Sequence, residues 1–92
     1  MISLSTTVST SADLLSTEID GEVVMMDMEA GRYLYLDRIG SVIWSELGQP
    51  QTVADLCRSL ADRYAAPIEE IERDVLDLLE QMRRNDLIRL HD

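Results

Sequence analysis

The sequence predicts an α+β domain of the winged helix-turn-helix type, with a three-stranded antiparallel sheet followed by three helices. Apolar residues alternate along residues 14–36, which is the period of strands, and recur at helical spacing from residue 39 onward. Turn and helix-stop residues separate these segments. The 92 residues have room for one such domain and not for a second.

Three strands are predicted, at residues 14–19, 22–28 and 32–36. Asp20-Gly21 is expected to join the first two, because both central positions of a two-residue hairpin turn tolerate positive φ in such a dipeptide. A short loop that ends at Gly31 joins the second strand to the third. The predicted strands therefore form an antiparallel meander.

Alternation along these strands predicts that both faces of the meander are partly apolar. One face is expected to carry Val24, Met26, Met28, Leu34 and Leu36, and the other Val23, Met25, Tyr33 and Tyr35. One face must pack on the helices. The other is either covered by the N-terminal segment or offered to a partner.

Residues 1–12 are rich in Ser and Thr, with Ile2, Leu4 and Val8 alternating. This pattern fits either a frayed tail or a weak extra strand. We therefore expect a flexible segment at residues 1–12 and the folded domain at residues 13–92.

Capping and stop residues predict where the helices begin and end. Asp37 is expected to cap the first helix, which ends before Gly48. Thr52 and Asp55 resemble a capping box at the start of the second helix. Pro67 suits the first turn of the third helix, because a proline there loses no intrahelical hydrogen bond.

The third helix is predicted to be the longest and to carry a continuous apolar stripe. This stripe consists of Ile68, Ile71, Val75, Leu78, Leu79 and Met82. Asn85 is a plausible terminator, and residues 87–90 are expected to return as a strand or as a packed tail.

The residue inventory argues against catalysis and metal binding. His91 is the only histidine, and Cys57, the only cysteine, is expected in the core on the stripe of the second helix. Nucleophilic catalysis by a cysteine needs a base beside it and a third group that orients the base. A zinc site needs several Cys or His ligands. Neither an EF-hand pattern nor a Gly-rich phosphate loop is present. We therefore predict no enzyme, no cofactor and no metal site.

The charge balance favours a basic partner. The formal net charge is −10, and residues 65–92 hold eight acids against four arginines. The negative charge repels the phosphates of nucleic acids, so no nucleic-acid partner is expected. Because winged-helix domains often bind DNA, a DNA-binding regulator stays as an alternative. The chain shows no signal peptide and no membrane-spanning stretch, and one cysteine permits no internal disulfide. We expect a soluble cytoplasmic protein without a membrane partner.

A hairpin, a Gly-containing helix, a capped helix and an acidic third helix follow one another in a fixed order. The segments concerned are residues 21–27, 31–37, 40–44, 52–56, 74–75 and 86–88. In order and spacing they resemble the PqqD-like family, also called RiPP recognition elements, which bind leader peptides of ribosomally made, modified natural products. The resemblance covers residues 13–90. Asp37 departs from it, since the family commonly has Asn there, but Asp caps a helix equally well.

The resemblance implies that a leader peptide adds a strand antiparallel to the third strand, in a groove against the third helix. Residues 32–36 contain no proline that would block an added strand. The leader-binding residues implied are Arg32, Tyr33, Leu34, Tyr35, Leu36, Glu72, Val75, Leu78, Leu79 and Met82. Those on the helical stripe either contact the leader or pack in the core. Glu72, Asp74 and Asp77 either attract basic leader residues or form a solvated face.

The chain further resembles the standalone leader-binding proteins of lasso-peptide pathways, which implies a separate cysteine protease as partner, with a cyclase as a further candidate. Within the same family, the alternative is a PqqD-type peptide chaperone for a radical enzyme. From other classes, the alternatives are the DNA-binding regulator and a structural interaction subunit. A docking surface for the protease is predicted on the hairpin face that carries Val23 and Met25.

Overall fold

The computed structural model describes residues 2–11, 14–27 and 31–91. In chain order the described elements are β1 (Thr7–Thr10), β2 (Leu15–Ile19), β3 (Glu22–Asp27), β4 (Arg32–Tyr35), α1 (Arg38–Glu46), β5 (Gln51–Thr52), α2 (Val53–Arg63), α3 (Ile68–Arg84) and β6 (Ile88–His91). The predicted α+β class, with an antiparallel meander ahead of three helices, is confirmed. A second small sheet accompanies it, so the winged-helix label fits only loosely.

The meander forms one antiparallel sheet in the order β2-β3-β4, which we call the hairpin sheet. Its first turn has φ of 53° at Asp20 and 82° at Gly21, the positive values that the dipeptide predicts. Met28, expected at the end of β3, lies outside the described residues.

The register of the hairpin sheet differs from the predicted face assignment. Met25 pairs with Leu34, and Val24 pairs with Tyr35, so each pair shares a face. The inner face carries Met25, which is 0% exposed, whereas Tyr35 on the outer face is 75% exposed. The prediction that Val23 and Met25 share a face with the two tyrosines is therefore wrong. A shift of one residue in register exchanges the faces of a whole strand, because side chains alternate with a period of two.

The predicted protease docking surface at Val23 and Met25 is wrong for the same reason. Both side chains are buried in the core. The backbone N–H of Val23 also donates to the Ser41 hydroxyl at 2.7 Å, and that hydroxyl donates to the Leu36 carbonyl at 3.3 Å. The inner face of the hairpin sheet is thus fixed to α1 and is closed to partners.

A second sheet, in the order β5-β1-β6, is built from distant parts of the chain and is called the closing sheet below. β1 is its central strand, and Thr7 pairs with Thr52 on one side and with His91 on the other. Val8 is 0% exposed. Of the frayed tail and the extra strand that the sequence left open for residues 1–12, the structure shows the strand, which pairs with β6 over residues 7–10 and with β5 at residues 7 and 8.

The residues before β1 complete the N-terminus of α2. The carbonyls of Leu4 and Thr6 accept hydrogen bonds from the backbone N–H groups of Ala54 and Val53, at 2.9 and 3.0 Å. These N–H groups have no partner inside the helix, so the N-terminal segment satisfies donors that would otherwise need water. It belongs to the packed domain and does not cover the outer face of the hairpin sheet.

The predicted caps of α1 and α2 are confirmed. Asp37 Oδ1 accepts from the Gly40 N–H at 2.7 Å and caps α1, and Thr52 Oγ1 accepts from the Asp55 N–H at 3.2 Å and caps α2. Pro67, expected in the first turn of α3, stands instead at its N-cap, one position earlier. Asn85 follows the last residue of α3, as predicted.

The core lies between the inner face of the hairpin sheet, the three helices and the closing sheet. Its buried side chains include Val8, Met25, Ile43, Trp44, Leu47, Val53, Leu56, Cys57, Leu60, Val75, Leu79 and Met82. No helix in the described ranges combines the length and the apolar character needed to cross a membrane.

Candidate functional site

The site begins at the outer edge of β4. β4 is an edge strand, and within the described ranges no strand pairs with its outer side. The Leu36 N–H donates to the Val23 carbonyl at 3.0 Å, which places Leu36 at a hydrogen-bonded position of the antiparallel ladder. Because such positions alternate, the backbone of Leu34 also faces β3. The N–H and C=O groups of Tyr33 and Tyr35 therefore point outward and are available to another strand.

β4 runs alongside α3 in the opposite direction. At one end the Arg32 Nη2 donates to Asn85 Oδ1 at 3.0 Å, and at the other end Asp37 lines a groove together with Asp74. From Arg32 to Asp37 an extended chain covers about 17 Å, and from Asn85 back to Asp74 a helix also covers about 17 Å. The two ends of β4 therefore lie near the two matching parts of α3, which places its open edge on the side of the domain that carries α3.

At the Asp37 end, this arrangement opens into a groove of about 340 Å³ between the three helices. Its apolar lining consists of Ile39, Ile43, Leu60, Tyr64, Ala66, Ile71, Val75 and Leu78. Three carboxylates, those of Asp37, Glu70 and Asp74, stand among these residues. We call this cavity the helical groove. It is a mainly apolar site with acidic side chains at its border.

The predicted site residues on β4 lie at the open edge. Arg32, Tyr33 and Tyr35 are exposed, whereas Leu34 and Leu36 are half-buried and pack against the core. Tyr33 and Tyr35 direct their side chains to the outer face, beside Met26 and Val24. Side chains alternate along β4, so Leu34 and Leu36 anchor the strand to the core while Tyr33 and Tyr35 stay accessible.

The predicted residues of α3 divide between the groove and the core. Val75 and Leu78 line the helical groove. Leu79 and Met82 are 0% and 2% exposed and lie in the core cluster, so only a rearrangement would bring them to a ligand. Their direct contact with a leader stays a prediction.

Glu72 lies on the side of α3 that faces α2. Burial, and secondly the negative charge of Glu72, raise the pKa of the Cys57 thiol to about 11. Glu72 is half-buried and is absent from the residues that line the helical groove. Glu72 therefore acts electrostatically on Cys57 and lies outside the lining of the groove.

Sequence reasoning missed the contribution of α1 and α2 to the site. Ile39, Ile43, Leu60 and Tyr64 line the groove, although their helical spacing assigns them to the core. Periodicity identifies an apolar face and does not show whether another helix covers it completely. The available signal was the short Ala65-Ala66 connection before Pro67, which leaves Tyr64 at the end of α2, 37% exposed.

The two residues considered for nucleophilic chemistry lie apart. Cys57 is buried and neutral at pH 7, given its raised pKa. His91 Nε2 is 2.7 Å from the Ser9 hydroxyl in the closing sheet. Among the described residues no group of three or more His, Cys, Asp or Glu side chains is placed to hold a metal ion. The site offers backbone hydrogen bonds, an apolar cavity and negative charge, which are means of binding.

The family model for "Coenzyme PQQ synthesis protein D (PqqD)" matches residues 22–88, which span β3, β4, the three helices and the start of β6. The chain belongs to the PqqD family. The resemblance to this family, the RiPP recognition elements, is thereby confirmed. No match was found among curated proteins.

Two solved structures share the fold. One is described as "TbiB1 in Complex with the TbiA(beta) Leader Peptide"; it is 30% identical, with a TM-score of 0.82, and the match covers 88% of this chain and 94% of that chain. The other is described as "Lasso peptide synthetase B1 complexed with the leader peptide"; it is 21% identical, with a TM-score of 0.79, and the match covers 89% and 96%. Both relatives are thus leader-peptide complexes, and the second supports the fold alone.

Proposed function

We propose that this protein binds the leader region of a ribosomally synthesised precursor peptide by strand addition to β4. The observation that carries the proposal is the outward-facing backbone of Tyr33 and Tyr35 at an edge that flanks α3. Membership of the PqqD family and the leader peptide in the TbiB1 structure support it. A leader strand would convert the three-stranded hairpin sheet into a four-stranded one.

Affinity and specificity then come from different parts of the site. The two N–H and two C=O groups of Tyr33 and Tyr35 bind any extended backbone, which gives affinity without reading the sequence. Side chains of the leader enter the space beside α3 and the helical groove, which gives specificity. In the antiparallel orientation, the leader residues that precede the added strand reach the groove, since it lies beyond the C-terminal end of β4.

The precursor in this proposal is that of a lasso peptide, and the partners are a separate cysteine protease and a cyclase. The TbiB1 structure, which is 30% identical to this chain, supports a leader partner, and the resemblance of the sequence to the leader-binding proteins of lasso-peptide pathways supports the pathway. A bound leader keeps the rest of the precursor near the processing enzyme, which raises its effective concentration without a catalytic group on this protein. The proposal places the protein in the cytoplasm, where ribosomes make the precursor.

The family description favours one alternative within the same mode of binding. A PqqD-type chaperone would present its peptide to a radical enzyme of coenzyme PQQ synthesis instead of a protease. The β4 edge serves both roles equally. The identity of the precursor that binds separates them.

A backbone-amide NMR titration tests the proposal. The ligand is the synthetic leader peptide of the precursor encoded beside this protein, and the core peptide alone is the control. We expect shifts at residues 32–36 and along residues 70–78 with the leader, and none with the core peptide. If the amide signals of β4 do not shift at a saturating concentration of the leader, strand addition is excluded.

A further inference from the structure

The border of the helical groove carries negative charge from two separate elements. Asp37 stands at the N-cap of α1, and Glu70 and Asp74 lie one turn apart on α3. None of the described residues that line the groove is basic. An apolar cavity is therefore bordered by three carboxylates with no cation among its lining residues.

The carboxylates of Glu70 and Asp74 are accessible to a ligand. Asp74 has Arg73 at 4.0 Å, but both side chains are more than 70% exposed, so this pair is weak. No ion pair within the described ranges involves Glu70. Asp37 differs, because its Oδ1 accepts the capping hydrogen bond from Gly40. Glu70 and Asp74 are thus the two groups that remain for a ligand.

Their spacing also has a cost that a ligand would remove. Like charges four residues apart on a helix repel each other and weaken the helix. The chain as a whole is negatively charged, so its own surface adds to this repulsion. A cation placed between the two carboxylates would reduce both their mutual repulsion and the repulsion from the rest of the protein surface.

We propose that the helical groove binds a leader residue with an apolar side chain, and that Glu70 and Asp74 select a Lys or Arg next to it. This inference rests on the proposed function and specifies the class of leader that the protein accepts. The apolar lining holds the first side chain, and the charge complementarity of the border fixes the second.

The geometry also predicts where this pair of residues stands in the leader. Asp37 follows Tyr35 by two residues, which is about 7 Å of extended chain. In an antiparallel pairing, the leader residue at that point precedes the one opposite Tyr35 by two. The apolar and basic residues are therefore expected two to about four positions before the residue that pairs with Tyr35.

Selection from a phage library of random peptides tests the inference without knowledge of the natural leader. The targets are the unmodified protein, the variant Glu70→Gln/Asp74→Asn, and the control Asp62→Asn/Glu69→Gln. The control removes the same number and kind of charges at exposed helical positions that do not line the groove. We expect peptides with a Lys or Arg beside an apolar residue to be enriched on the unmodified protein and on the control, and not on the groove variant.

Affinities of one selected peptide complete the test. Its Kd is expected to rise about two- to fivefold for each groove carboxylate removed, the range of a partly exposed ion pair, and to change little in the control. Equal enrichment on both variants, or equal Kd values, would overturn the inference while leaving strand addition intact. A library that yields no peptide shifting the β4 amides would instead contradict the proposed function and the inference with it.

Discussion

The two sheets of this domain are built from contacts of opposite range. The closing sheet joins residues 7–10 to residues 51–52 and 88–91, so it ties together parts of the chain that are far apart in sequence. The hairpin sheet joins only neighbours along the chain. Its outer face leaves Leu15 and Tyr35 at 63% and 75% exposure, whereas Val8 at the centre of the closing sheet is fully buried.

This difference separates stability from binding. A sheet that connects distant segments must be intact for the domain to close, because its loss releases several loops at once. A meander held to α1 by its inner face can present its edge and its outer face without opening the core. Substitutions of the same chemistry should therefore have different consequences in the two sheets, and four experiments examine this.

The largest effect is expected for Val8→Asp in the closing sheet. Burying an unpaired carboxylate at a site with 0% exposure should cost about 4 kcal/mol or more, most of the stability of a small domain. The control is Ile19→Asp in the hairpin sheet, where the side chain is 57% exposed and the loss should stay below about 1 kcal/mol. Urea unfolding followed by circular dichroism measures both. Equal losses would contradict the division between the sheets.

Removal of a single backbone donor at the β4 edge should affect binding and spare the fold. Tyr33→Pro deletes an N–H that points away from β3, a position where an edge strand tolerates proline. Leader affinity should fall about tenfold, since a hydrogen bond is lost and the added strand is displaced. Tyr33→Val, which keeps the N–H, is the control in the same calorimetric titration. A similar loss in both variants would assign the effect to the side chain instead of the edge.

Alkaline pH should lower the free energy of unfolding through Cys57, which is buried in the core on α2. The raised pKa of about 11, against about 9 in the unfolded chain, means that the unfolded thiol ionises first as the pH rises. The associated stability is complete below pH 9 and is lost towards pH 11, with a loss of about 1 kcal/mol at pH 10. Urea unfolding between pH 8 and 11 should show this loss in the native protein and not in Cys57→Ala. If the free energies of unfolding of the two proteins changed with pH in the same way, the Cys57 thiol would be solvated and the prediction would be wrong.

The smallest effect is expected where the hairpin sheet meets α3. Arg32→Ala removes the exposed hydrogen bond to Asn85 and the 3.8 Å ion pair with the half-buried Asp27, and should cost about 0.5 kcal/mol. Amide exchange in β4 should nevertheless become faster, because the strand loses its link to the helix. Arg58→Ala, which removes an exposed ion pair with Asp55 on α2, is the control and should leave β4 exchange unchanged.

Local signals predicted most of this fold, and long-range pairing accounts for what they missed. Asp20-Gly21 fixes its turn through backbone conformation, and Asp37 and Thr52 fix helix starts through side-chain hydrogen bonds to residues three positions away, so the sequence locates them well. β1 is four residues long and its partners lie some 40 and 80 positions away, which no periodicity reveals. The faces of the hairpin sheet were misassigned because register depends on pairing across strands and not on alternation within one.

The same limit applies to the candidate site. The open edge of β4 follows from its place at the end of the meander, which the sequence predicted. The helical groove does not, because Ile39, Ile43 and Tyr64 carry the same helical spacing as true core residues. Only the assembled helices show which part of each stripe is left uncovered.

The distribution of aromatic side chains gives this protein two independent optical signals. All three tyrosines of the chain belong to the candidate site, Tyr33 and Tyr35 on β4 and Tyr64 in the helical groove. Trp44, the single tryptophan, is 8% exposed in the core. Tryptophan emission should therefore follow unfolding, while tyrosine absorbance should follow occupancy of the groove and edge. Stability and binding can be recorded in one cuvette without attaching a dye.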